Sequence, residues 1–174
     1  MTDLSPAAQA VRDAVLAPYA DNIPMDSNTF KELVLAETAK AKKSNQWENS
    51  EYRELYELNN KAKGGVGENT SAVVEGCEAN SPFSGSTDLS NGDEAKLVCV
   101  SARGTYKLNR IKAYTDKINL VVVHPAYLEY RRTTRARLAA SGKMTQQGSG
   151  NGDQWVTLTR YQLELHTDLI ITTK

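Results

Sequence analysis

The stretch WVTLTRYQLELHTDLII, Trp155 to Ile171, decides how the rest of the chain is read. Trp155, Thr157, Thr159, Tyr161, Leu163, Leu165, Leu169 and Ile171 fall at odd positions. Arg160, Gln162, Glu164, His166 and Asp168 fall at even ones. A period of two predicts one long half-buried strand, or two strands meeting at a bend. At about 3.3 Å per residue it would reach roughly 50 Å, well beyond a usual strand of about 20 Å. Such a strand, polar on one face, suits a sheet that faces water or a neighbouring subunit. The protein is therefore expected to contain a sheet and to finish in it.

The chain has 174 residues, enough for one compact domain or a domain with a helical appendage. With 40% apolar and 24% charged residues it has an ordinary globular composition. The 21 basic and 21 acidic residues cancel. A balanced chain lacks the basic excess of wholesale nucleic-acid binders, and its low colloidal repulsion favours association. Met1-Thr2-Asp3-Leu4 is no signal-peptide start, and no run approaches the roughly 18 apolar residues of a spanning helix. A cytoplasmic protein, not secreted by a signal peptide and without a membrane partner, is expected. Cys77, Cys99, His124 and His166 are too few and too scattered for a zinc site, which needs about four ligands. No metal and no cofactor are expected.

Upstream, residues 1–64 read as a helical region. Pro6 to Tyr19 places Ala7, Val11, Val15 and Leu16 on one stripe, with Pro18 and Pro24 bracketing its end. Thr29-Phe30-Lys31-Glu32 is a capping-box pattern opening a helix to Lys43 with Phe30, Leu33 and Val34 inward. Ser50 caps a third helix carrying Tyr52, Leu55 and Tyr56, which Gly64-Gly65 stops. Residues 65–174 read as a β-rich region. Ala72–Ala79 and Ala95–Ala102 are strand candidates flanking a long polar loop, Asn80 to Glu94. A symmetric hairpin there would set Cys77 opposite Cys99, as two packed thiols in a reducing compartment. Tyr106 to Tyr114 fits either a strand or a short helix. Ile118-Asn119-Leu120-Val121-Val122-Val123 is a buried strand. Pro125 to Ala140 reads as a helix, with a strand left open by the crowded residues 131–135, and Ser141 to Gln154 as a second polar loop. The class predicted is α+β: N-terminal helices, then a mostly antiparallel sheet with one helix after the central strand.

Two charged stretches stand out. Tyr127, Tyr130, Arg131, Arg132, Arg135, Arg137 and Lys143 combine guanidinium forks with stackable rings, chemistry that suits phosphates and unpaired bases. Glu75, Glu78, Asp88, Asp93 and Glu94 form an acidic counterpart with no basic residue from Val73 to Glu94. The two can neutralise each other within a subunit or between subunits. Glu164, His166 and Asp168 would share a strand face, but at about 7 Å spacing they cannot orient one another directly. Gly64-Gly65-Val66-Gly67 lacks the Gly-Lys-Ser/Thr of a phosphate loop.

Asp88 followed by Glu94-Ala95-Lys96 resembles the metal-binding pattern of the PD-(D/E)xK nucleases. The likeness covers these few residues and lacks the Pro-Asp pair. It implies that Asp88 and Glu94 hold Mg²⁺ and that Lys96 polarises the attacking water. Three functions follow. The first is a non-enzymatic, self-assembling structural protein, such as a ring, tube or head-tail subunit of a phage-like particle, with copies of itself or other structural subunits as partners. The second is a nucleic-acid-binding accessory protein using residues 127–143. The third is a metal-dependent nuclease.

Overall fold

The computed structural model describes residues 5–16, 26–43, 45–81, 87–146 and 152–174. The chain divides into two compact units, Met1–Asn45 and Gln46–Lys174. The first holds α1 (Pro6–Leu16) and α2 (Ser27–Lys43). Asp26 caps α2: its Oδ1 accepts the Thr29 backbone N–H at 3.0 Å and its Oδ2 the Thr29 hydroxyl at 2.7 Å. The helix thus starts before the Thr29–Glu32 box, and Phe30 and Val34 are exposed rather than inward. Tyr19 and the bracketing Pro18 and Pro24 lie outside the described residues, as does the Met1–Leu4 start.

Near the start of the second unit Trp47 is buried and stacked on Tyr56 at 4.6 Å between ring centres. The short α3 (Arg53–Glu57) leads into α4 (Asn60–Glu75). Asn59 caps α4 by accepting the Ala62 N–H, and left-handed Gly76 closes it. Gly64-Gly65 therefore does not stop a helix, and the strand expected at Ala72–Ala79 is the end of α4 and a turn. The strands that follow are β1 (Glu94–Cys99), β2 (Tyr106–Ile111), β3 (Lys117–Val123) and β4 (Leu128–Thr134). After α5 (Arg135–Ala140) come β5 (Thr145–Gln146), β6 (Gln154–Leu158), α6 (Arg160–His166) and β7 (Asp168–Thr172).

The α+β class holds, with helix α5 following the central strands, but the strands form two sheets. One has the order β1-β3-β4-β7, with β1 parallel to β3 and the other pairs antiparallel. The other is antiparallel, β2-β6-β5. Strand β3, apolar but for Lys117 and the buried Asn119, takes an interior position, with Ile118, Leu120, Val122 and Val123 at 0% exposure. Leu108, Ile111, Leu138, Leu158 and Leu163 complete the core around it.

The long terminal strand is three elements. Thr159 and Gln162 form a capping box, the Thr159 hydroxyl accepting the Gln162 N–H and the Gln162 side chain accepting the Thr159 N–H at 3.0 Å. Arg160 pairs with Glu164 one turn on, at 2.9 Å. Leu163 is buried while Tyr161 and Leu165 are exposed, so the period-two pattern conceals a helix with one inward residue. Glu164 and His166 thus leave the strand face they were expected to share with Asp168. Pro125–Ala140 is mostly strand, the alternative left open at 131–135, with only its end helical. Cys77 and Cys99 are free thiols and not hairpin partners, since one follows α4 and the other ends β1.

Candidate functional site

Asp88, Glu94 and Lys96 converge where β1 begins. The chain between α4 and β1 is pinned by the bridge of Ala79 with Leu89, which is fully buried. The Asn80 N–H donates to the Asp88 carbonyl at 2.9 Å, and Gly92, at φ 93, turns the chain back so that its N–H reaches the Leu89 carbonyl at 3.0 Å. A left-handed glycine allows that tight return. The Asp88 carboxylate then accepts the Ala95 N–H through Oδ2 at 3.0 Å. Glu94 opens β1 at 0% exposure, and Lys96, two residues on, shares its face. The Lys96 ammonium lies 2.5 Å from Glu94 Oε1 and 4.0 Å from Asp88 Oδ2.

Two residues that the sequence reading passed over complete the group. Lys112, just after β2, sets its Nζ 3.0 Å from Asp88 Oδ1, and its backbone N–H donates to Glu94 Oε2 at 3.4 Å. Glu68 comes from α4. Its neighbour Gly67 is the point of closest approach to β1: a Cβ there would lie 3.1 Å from the Leu97 backbone nitrogen. Burial, and next the Asp88 charge, raise the pKa of Glu68, while Lys96 and Lys112 pull it down. Burial likewise raises the pKa of Glu94, against the opposing pull of Lys96. Two carboxylates, Asp88 and Glu94, thus share the start of β1 with two ammonium groups, and Glu68 lies near enough to feel their charges. No motif announces Glu68 or Lys112. Glu68 was obscured by the glycines around it, which read as a loop, and Lys112 by the ambiguity of Tyr106–Tyr114.

The remaining predicted residues serve elsewhere. Glu75 accepts both Arg132 Nε at 2.8 Å and Nη2 at 3.0 Å, and the Tyr130 hydroxyl at 2.9 Å. Arg137 pairs with Asp168 at 2.8 Å, and Asp93 accepts the Asn119 amide at 3.0 Å. Glu75, Asp93, Arg132, Arg137 and Asp168 line a cleft of about 310 Å³ together with Lys117, and the pairs Glu75–Arg132 and Arg137–Asp168 lie within it. Arg131 is buried at 3% exposure and donates to Glu129 and Thr167. Arg135 donates to Gln154, and Tyr127 stacks on His124 at 4.0 Å. Glu78 and Lys143 are exposed. The basic segment is therefore not one continuous face, and its partners Glu75, Glu129 and Asp168 lie in the same chain. A second buried group surrounds Glu129. Burial would raise its pKa, but Arg160 and Arg131 hold the carboxyl down at about 2.

Asp88 and Glu94 present hard carboxylate oxygens, the donors Mg²⁺ prefers. Among the described residues no group of three or more His, Cys, Asp or Glu side chains is placed to hold a metal ion. Mg²⁺ does not require one, since it commonly takes one or two carboxylates and fills the rest of its shell with water and substrate phosphate. Glu94 Oε1, buried and ion-paired but without a hydrogen bond, is the kind of oxygen such an ion would take. No helix among the described residues is long and apolar enough to cross a membrane. Compared with known protein families, curated proteins and solved structures, the chain matches none.

Proposed function

We propose that the protein is a divalent-metal-dependent nuclease whose centre is Asp88, Glu94 and Lys96, with Glu68 and Lys112 beside them. The observation that supports this reading best is the convergence itself. Asp88, Glu94 and Lys96, spaced as in the resembled nuclease pattern, meet in space, and Lys112 from just after β2 adds a second ammonium to them. Asp88 and Glu94 would hold the ion. When bound, the ion lowers the pKa of a water and offsets the charge of the scissile phosphate. Lys96, held on Glu94, carries a positive charge next to where the ion would sit, suited to stabilising the attacking hydroxide or the developing phosphate charge.

The test is incubation of the purified protein with supercoiled, linear and single-stranded DNA and with RNA, in Mg²⁺, Mn²⁺ or EDTA. Cleavage that needs the ion and drops at least about a hundredfold in Glu94→Ala and in Lys96→Ala is expected. Unmutated protein that cleaves none of these, or variants that cleave as well as it does, would end the reading.

The expectation of a self-assembling structural protein drew on the missing catalytic constellation, the long terminal strand, two long polar loops, zero net charge and the segregated charged stretches. The strand is three elements, and Glu75 pairs with Arg132 within the chain. Zero net charge and the polar loops remain, and the fold adds a support for self-association. Strand β7 is the edge of its sheet and exposes Leu169, Ile170 and Ile171, a hydrophobic edge of the kind that pairs with another chain. Light scattering on the unmutated protein and on Ile170→Lys tests that point separately.

A further inference from the structure

We infer that the outer face of the β2-β6-β5 sheet binds single-stranded nucleic acid, with Trp155 as the stacking ring and Lys107 and Lys143 as phosphate contacts. Such a surface supplies the proposed nuclease with its substrate, yet binding by it needs neither metal nor cleavage.

The face follows from strand alternation. Tyr106, Leu108, Val156 and Leu158 are buried in the core, so Lys107, Trp155 and Thr157 turn the other way. Lys107 stands opposite Thr157 and Trp155 opposite Thr145, so the middle strand holds the ring between its two neighbours. Lys107 and Thr145 are exposed and Trp155 is half-buried. The other tryptophan, Trp47, is 1% exposed, so Trp155 is the one a ligand can reach.

The charge is one-sided. Strands β2, β5 and β6 contain no Asp or Glu, and Asp153, just before β6, is the one acid adjoining them in sequence. Lys107 forms no ion pair among the described residues, and its ammonium lies 4.9 Å from the centre of the Trp155 ring. Lys143 is exposed at the entry to β5, just ahead of Thr145.

The backbone adds a further cation. Arg110 is the one non-glycine residue with positive φ among the described residues, at 51°. It sits in the register shift between Leu108 and Ile111 where β2 pairs with β6. In an unbroken strand Arg110 would turn inward with Tyr106 and Leu108. The irregularity instead exposes it and buries Ile111 at 0% exposure, and the chain leaving it carries Lys112 to Asp88. Bulges re-aim side chains in this way, and they concentrate beside active sites. Strand β2 thus runs from the ring toward the candidate centre: at about 3.3 Å per residue, Lys107 and Lys112 are at most roughly 17 Å apart along it.

An accessible ring among cations is what an unpaired strand requires: the indole stacks on any base and the cations meet the phosphates. Lys107 serves where it stands. Its ammonium has three N–H donors and the indole takes one side of it, so a phosphate can share it. A duplex, whose bases already stack on one another, offers the ring nothing. A second copy of this chain would set like charges face to face.

The test is fluorescence anisotropy of labelled oligo(dT), oligo(U) and a duplex of like length with the full-length protein in EDTA, from about 50 to about 200 mM salt. Single strands should bind more tightly than the duplex and quench the Trp155 emission. Trp155→Ala should weaken single-strand binding at least about fivefold, the low end for one stacked base, while Trp155→Phe keeps a ring and most of the affinity. Lys107→Gln with Lys143→Gln should lower the salt slope by about 1.4, two phosphates at about 0.7 each. Both lysines are exposed, so that variant tests the surface even if Trp155→Ala does not fold. No binding at low salt, binding unchanged in the Trp155→Ala and lysine variants, or a duplex held as tightly as a single strand overturns the inference. So does light scattering that shows a dimer which Trp155→Ala dissociates, because a second copy then covers this face. Binding in EDTA without cleavage in Mg²⁺ ends the nuclease reading alone. Metal-dependent cleavage with binding indifferent to Trp155 and the lysines ends only the stacking surface.

Discussion

Gly67→Ala isolates the contact that brings Glu68 to the site. The added methyl would lie 3.1 Å from both the nitrogen and the Cβ of Leu97, and 3.3 Å from the carbonyl carbon of Lys96. Two of those three atoms are backbone within β1, so they cannot rotate aside, and α4 must move by a few tenths of an ångström. Overpacking of this kind costs about 1–3 kcal/mol. Replacing glycine with alanine inside a helix returns about 1 kcal/mol, leaving a net loss of about 0–2 kcal/mol. Gly64 and Gly65, in the same helix, have nothing within 4 Å of a built Cβ. Gly64→Ala and Gly65→Ala should therefore each gain about 0.5–1 kcal/mol. Urea unfolding of the three variants reads the contrast directly, since a shared helix gives each the same propensity term. Cleavage by Gly67→Ala should also fall, because the helix that carries Glu68 shifts away from Lys96. If Gly67→Ala were as stabilising as the other two, α4 would not be wedged against β1, and the placement of Glu68 would lose its cause.

Other consequences are open to measurement. Glu129, buried and held at about pH 2 by Arg160 and Arg131, has a folded pKa below its ordinary 4.5. Its contribution, about 3 kcal/mol by linkage, is therefore present above pH about 4.5 and lost as the pH falls toward 2. Urea unfolding from pH 7 to 3 should show that acid limb, and Glu129→Gln should flatten it while costing about 3–5 kcal/mol at pH 7 by leaving Arg131 unpaired. Arg110→Gly should relieve the left-handed backbone and raise stability by about 0.5–1 kcal/mol, whereas Arg110→Val, β-branched at φ 51, should lower it by about 1–2 kcal/mol. Equal melting temperatures for the two Arg110 variants would show that the bulge carries no strain.

What the sequence showed depended on whether local pattern and tertiary need agreed. At Ile118–Val123 they agree: a short, β-branched, mostly apolar stretch without alternation suits a strand covered on both sides, and β3 is one. Glu94-Ala95-Lys96 could be read as a strand with both charges on one face because a period of two permits nothing else. At Asn60–Glu75 they disagree. Gly64, Gly65 and Gly67 are poor helix formers, yet the helix runs through them because its packing against β1 requires the missing side chain at Gly67. At Arg160–His166 a helix of 7 residues with Leu163 alone buried is too short to show a 3.6-residue period over a background of alternating leucines. The charged stretches left two readings open, pairing within a subunit and pairing between subunits. Opposite charge predicts pairing but not the chain on which the partner lies, and here Glu75 meets Arg132 across 57 positions of one chain.

Two departures from the cheapest backbone choice lie beside the group of Asp88, Glu94 and Lys96. Gly67 stands in the middle of a helix, and Arg110 in the bulge of β2 is the one non-glycine residue with positive φ among the described residues, while Gly92 takes its left-handed turn without strain. The elements they shape end at Glu68, at Asp88 with Glu94, and at Lys112. A core of this size needs none of them, and apolar residues in place of buried ion pairs are often neutral or stabilising. Stability therefore does not account for Glu94 at 0% exposure against Lys96, nor for a second lysine aimed at Asp88 by an unfavourable φ. The outlying φ of Arg110 and the buried charge of Glu94 meet at one place, and that coincidence is what motivates the proposal of a functional site there.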